Sequence, residues 1–147
     1  MARIKIELPT KFTFSTEIKV RITDLNYGAH LGNDRLLGLI HEARVQFLEN
    51  YGFTEQDMLG VSLIMSDCAI QYKNEAFYND TLVFSIAATE FSNKGFEMYY
   101  LVVNKANNLE VARAKTGMVA FNYLEHKVVA LPPILKDVFY CQSLQNI

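Results

Sequence analysis

Apolar and polar residues alternate twice near the start of the chain, over Ile4 to Leu8 and again over Phe12 to Ile22. This predicts two short half-buried strands, separated where Pro9 cannot donate a ladder hydrogen bond. From Asn33 the period changes. Leu36, Ile40, Ala43 and Phe47 share one helical stripe that Leu37, Leu39 and Leu48 widen, predicting one long helix from Asp34 to Tyr51. Asn33 is its expected N-cap, Asp34 suits the positive end of its dipole, and Gly52 is its stop. Four long strand-like runs follow: Val61 to Lys73, Asp80 to Glu90, Phe96 to Lys105 and Leu109 to Tyr123. The links Asn79–Asp80, Ser92–Gly95 and Lys105–Asn108 are rich in turn residues, so these runs read as an antiparallel meander. After Pro132–Pro133, Ile134 to Leu144 predicts a short amphipathic helix with Leu135, Val138 and Phe139 inward.

These elements assemble as α+β, with an antiparallel sheet of five or six strands around one long helix in a single domain, residues 1–147. One helix covers only one face. The 8 Tyr and 10 Phe give bulky material for a second layer, so a homo-oligomer, dimer or tetramer, is expected to cover the rest. A balance of 14 basic against 16 acidic residues lacks the excess of a nucleic-acid binder. No apolar run is long enough for a membrane span, and the charged start Arg3, Lys5, Glu7 is not a signal peptide, so a cytoplasmic location is expected. Cys68 and Cys141 fit no ligand spacing and are expected to be buried free thiols. His41 to Val45 lacks the second histidine of H-E-x-x-H, so no metal is expected, and no cofactor.

Candidate chemistry concentrates in Asp24–Leu25–Asn26–Tyr27–Gly28–Ala29–His30–Leu31–Gly32–Asn33, which runs straight into the predicted helix. Carboxylate, amide and imidazole groups crowd two glycines where a helix opens with unpaired N–H groups. The N–H groups of Leu31, Gly32 and Asn33 are candidate donors to an oxyanion, and Gly32 would let a substrate approach the backbone. Gly28 and Gly32 also suit a tight turn. His30 could polarise a carbonyl, donate a proton or orient a carboxylate.

In the same loop His30–Leu31–Gly32–Asn33 resembles the H-V-N-N segment of the hotdog-fold acyl-CoA thioesterases, in particular the 4-hydroxybenzoyl-CoA thioesterase-like group. His41–Glu42–Ala43–Arg44 stands where that family has E-E-A-R. Tyr72, Asp80 and Leu82 match its tyrosine and its D-x-L strand start, with Glu75 or its neighbours where proline is usual. Ala112 to Phe121 resembles its penultimate strand, and Val128 to Pro132 its closing K-x-x-x-L-P run. The resemblance implies a hotdog fold, paired subunits, active sites at their interface and hydrolysis of an acyl-CoA or related acyl thioester to free acid and thiol. It also implies a catalytic carboxylate four residues before His30, where this chain has Asn26. An amide cannot be nucleophile or base, so the carboxylate is expected from Asp24 or, by the same resemblance, from Glu42 on the helix. The alternatives are a hotdog dehydratase or hydratase using His30 and Glu42, and a non-catalytic acyl-thioester binding module.

Overall fold

The computed structural model describes residues 2–140. Its elements are β1 (Phe14–Lys19), a 3-10 turn at Ile22–Asp24, α1 (Asn33–Asn50), β2 (Ser62–Tyr72), β3 (Thr81–Thr89), β4 (Gly95–Asn104), β5 (Glu110–Asn122), β6 (Lys127–Val128) and α2 (Leu135–Tyr140). All pairings are antiparallel, in the order β1-β3-β4-β5-β2, with the short β6 added to β5. This is the hotdog arrangement, with α1 laid across one face of a six-stranded sheet.

Alternation along each strand decides that face. Leu82, Phe84 and Ile86 of β3, Met98, Tyr100 and Val102 of β4, and Ala112, Ala114, Met118 and Ala120 of β5 are fully buried. Leu36, Ile40, Ala43 and Phe47 of α1 close onto them. Burying a side chain of this size contributes roughly 1.5–3 kcal/mol. At the C-terminal end of α1, Phe139 of α2 packs against Phe47 and Tyr51 with ring centroids 5.1 and 5.2 Å away. The expected inward positions Leu135 and Phe139 are buried and Val138 is partly so; Cys141 and the rest of the expected helix lie outside the described residues.

Three expectations need correction. Residues 4–8 form no strand. Instead the Ile6 N–H donates to Gln71 Oε1 and its carbonyl accepts from Arg113, so side chains rather than a ladder hold this segment to β2 and β5. The N-cap of α1 is Gly32, not Asn33, which is already the first helical residue. Cys68 is exposed rather than buried, because β2 is an edge strand whose residues Met65 to Cys68 have no neighbour on their outer side among the described residues.

Candidate active site

The loop ahead of α1 is built by local hydrogen bonds. The Asn26 N–H donates to the His30 carbonyl at 2.9 Å and the Ala29 N–H to the Asn26 carbonyl at 3.1 Å, closing a tight turn. The left-handed residue in this turn is Ala29, at φ 63°, rather than a glycine. Gly28 has a different use: a Cβ there would stand 3.2 Å from both Asn26 Oδ1 and His30 Nε2. Its missing side chain therefore lets amide and imidazole sit close over the turn.

The turn is clamped from the far side. The Leu31 N–H donates to the Ala76 carbonyl at 2.8 Å, and His30 bridges to Phe77. These bonds bring the β2–β3 link against the start of α1. An open cleft of about 800 Å³ lies between them, lined by Asn26, His30, Asn33, Asp34, Arg35, Tyr72, Lys73 and Glu75 among others.

Within the cleft, Asn26 Oδ1 accepts the N–H groups of Gly28 at 2.8 Å and His30 at 3.4 Å, which orients the amide. Its NH2 then faces His30 Nδ1 at 3.5 Å. The Leu31 carbonyl lies 3.4 Å from the same Nδ1, and Nε2 on the far side of the ring lies 3.8 Å from Glu75 Oε1. Tyr72 closes one side by donating its hydroxyl to the Asn33 carbonyl at 2.9 Å. Burial pushes that phenol above its ordinary range, and the neighbouring Cys68 and Asp34 add to the shift.

The sequence-predicted residues separate here. Asn26, His30, Leu31, Gly32 and Asn33 line the cleft; Asp24 and Glu42 do not. Asp24 is buried, and its carboxylate takes the backbone N–H of Arg21 at 2.8 Å and the guanidinium at 3.2 Å. Burial alone would raise its pKa, but the Arg21 hydrogen bonds and charge outweigh it and hold the carboxyl below its ordinary value. It is a turn-building residue. Glu42 is exposed on another side of α1, accepts from Gln46, and faces a groove formed with Phe14 to Thr16 of β1.

The oxyanion candidates also divide. The Leu31 N–H is given to Ala76 and the Gly32 N–H to the Asp24 carbonyl at 2.9 Å, so neither remains for a ligand. Asn33 differs because it is the first residue of the helix, whose N–H has no carbonyl a turn behind it to bond. Its N–H has no acceptor among the described residues, and the residue lines the cleft. Sequence pattern marks Tyr72 and Glu75 only as members of the family-like order, and Lys73 only as a basic residue. Their convergence on the helix start depends on the 73–77 link folding back across it. Arg35 and Lys73 are the cationic residues in the cleft lining, whereas Arg113 and Lys115 pair with Glu110 and Glu97 and do not line it.

A 1,4-dihydroxy-2-naphthoyl-CoA thioesterase from Synechocystis superposes with a TM-score of 0.78 at 22% identity, covering 86% of this chain and 95% of that one. A DHNA-CoA thioesterase from Staphylococcus aureus gives 0.76 at 18% identity, over 86% and 87%. A gentisyl-coenzyme A thioesterase gives 0.73 at 16% identity, over 84% and 98%. No curated protein matches the chain. The family model described as Thioesterase-like superfamily matches residues 20–139, from just after β1 into α2, and the chain belongs to that superfamily.

Proposed function

We propose that the protein hydrolyses an acyl-CoA, or a related acyl thioester, at the cleft in front of α1. The observation that carries this reading is the Asn33 N–H, without an acceptor among the described residues, on a residue that lines a cleft also holding His30. When water attacks a thioester carbonyl, negative charge develops on its oxygen. The unpaired N–H at a helix start, with about half a positive charge from the dipole, can meet it without reorganising. Asn26 stands beside the imidazole, Tyr72 ties the helix start to β2, and Arg35 and Lys73 in the lining are cations available to a phosphate.

The same reading includes a second copy of the chain. β2, SLIMSDCAIQY, is an 11-residue edge carrying a single charge, and Met65 on it is 41% exposed. Edges of this kind invite strand addition. Because Tyr72 ends β2 and lines the cleft, a partner joined there would stand beside the site.

The test is a thiol-release panel over short, long and hydroxylated aromatic acyl-CoAs, the last suggested by the named structural neighbours, with enoyl-CoA hydration measured in parallel. Thiol release is expected. Hydration without thiol release would identify a hydratase, binding without turnover a binding module, and either would refute hydrolysis. Light scattering should give a mass above the 16.8 kDa of one chain. Met65→Glu should reduce it to one chain and depress turnover.

A further inference from the structure

The cleft contains the electrophile's binding groups but needs a base for water, and the carboxylates named from the sequence are elsewhere. Asp24 is held by Arg21, Glu42 faces β1, and the Asn26 amide cannot take a proton. Among the described residues, the carboxylates lining the cleft are Asp34 and Glu75. Asp34 is directed to its neighbour Arg35, with Oδ2 at 3.9 Å from Nε, and contacts no other cleft side chain by a hydrogen bond or ion pair. Glu75 stands across from His30 Nε2.

We propose that Glu75 is the general base of this site, held in position by His30. The inference rests on the thioesterase reading above.

Three features place the group. The link carrying Glu75 is anchored on both sides: Lys73 and Asn74 donate their N–H groups to the Val111 carbonyl at 2.8 and 3.2 Å, and Ala76 accepts from Leu31 at 2.8 Å. Phe77 is fixed in turn through its N–H to Asp80 Oδ2 at 2.8 Å, and Asp80 accepts from Asn104. Such bracketing gives a loop residue the positional definition that acid–base chemistry needs. The Glu75 side chain is 64% exposed, so its carboxylate stays hydrated and a water molecule can reach it. Finally, the Gly28 N–H holds the Asn26 amide beside His30 Nδ1 at 3.5 Å, and His30 Nε2 stands 3.8 Å from Glu75 Oε1, so the imidazole lies between the fixed amide and the carboxylate.

The step balances without another reactant. Glu75 takes a proton from water as the water oxygen bonds to the carbonyl carbon, and the resulting oxyanion rests on the Asn33 N–H. Collapse breaks the C–S bond, and the Glu75 proton passes to the departing sulfur. Free acid and thiol result, and the carboxylate is regenerated. His30 keeps its own proton and serves as a positioning residue.

The test compares the wild type with Glu75→Gln, an isosteric change at an exposed loop position that leaves the folded core untouched. On an acyl-CoA that the wild type cleaves, kcat should fall about a hundred-fold or more with KM little changed. The fall in kcat at acid pH that reports the base should vanish. Turnover within threefold of wild type, or an unchanged acid limb, would overturn the assignment while leaving hydrolysis established. Loss in Asp34→Asn with Glu75→Gln intact would likewise move the base to Asp34. Absence of thiol release by the wild type would remove the thioesterase reading itself, and this assignment with it.

Discussion

The two ends of α1 differ in almost every physical respect. At the C-terminal end Phe47, Tyr51, Phe53, Phe91 and Phe96 surround Phe139, with centroids 5.1 to 6.3 Å from its ring. Phe47 and Phe139 are fully buried. At the N-terminal end the groups are polar, reached by solvent, and separated by 3.5 and 3.8 Å along the Asn26–His30–Glu75 series. The first end is packed ring against ring; the second keeps an amide, an imidazole and a carboxylate side by side in an open cleft. One helix thus carries its aromatic packing at one end and the polar lining of the cleft at the other, so each can be changed with limited effect on the other.

The sharpest way to break that separation is at the packed end. Phe47→Ala should destabilise the protein by about 3–5 kcal/mol, read by urea unfolding, because the rings around it cannot collapse into the space. Molecules that remain folded should keep the wild-type KM. At the open end, His30→Ala should lower kcat about ten- to a hundred-fold, equivalent to ~1.4–2.7 kcal/mol, with an unchanged melting temperature. His30→Gln, whose amide N–H can still face Glu75, should recover most of that loss.

Asp24 sharpens the comparison because it sits beside the open end yet behaves as core. Asp24→Asn should cost about 1–2 kcal/mol of stability, discounted for the exposed Arg21 partner. Its folded pKa lies below the unfolded one, so its contribution is present at neutral pH. That contribution is lost as pH falls through the ordinary value of 3.8 and on through the lower folded value. The wild type should therefore lose stability on acidification more steeply than Asp24→Asn, measured by unfolding across that range. The smallest effect is expected at Gly28→Ala. The added Cβ would press Asn26 Oδ1 and His30 Nε2 at 3.2 Å, and kcat should fall about threefold, ~0.6 kcal/mol, without loss of fold.

Periodicity was enough for α1, the short β1 and the four long strands, since burying one face of a helix or strand imposes a 3.6- or 2-residue repeat on the chain itself. It failed at residues 4–8, where alternation is present but the contacts are made by the Gln71 and Arg113 side chains. It also located the polar loop before α1, because Asn26, His30 and Asn33 are neighbours along the chain and a helix start always has unpaired donors. What it could not do was distribute their work. Whether a backbone N–H is open depends on which carbonyl arrives from elsewhere. Ala76 and Asp24 occupy those of Leu31 and Gly32 and leave Asn33. A carboxylate's role likewise depends on what faces it: Arg21 engages Asp24, Gln46 and a groove beside β1 face Glu42, and the folded-back link sets Glu75 beside His30. Local order is written in spacing along the chain, whereas a site of this kind is a meeting of segments, decided only when the sheet closes around the helix.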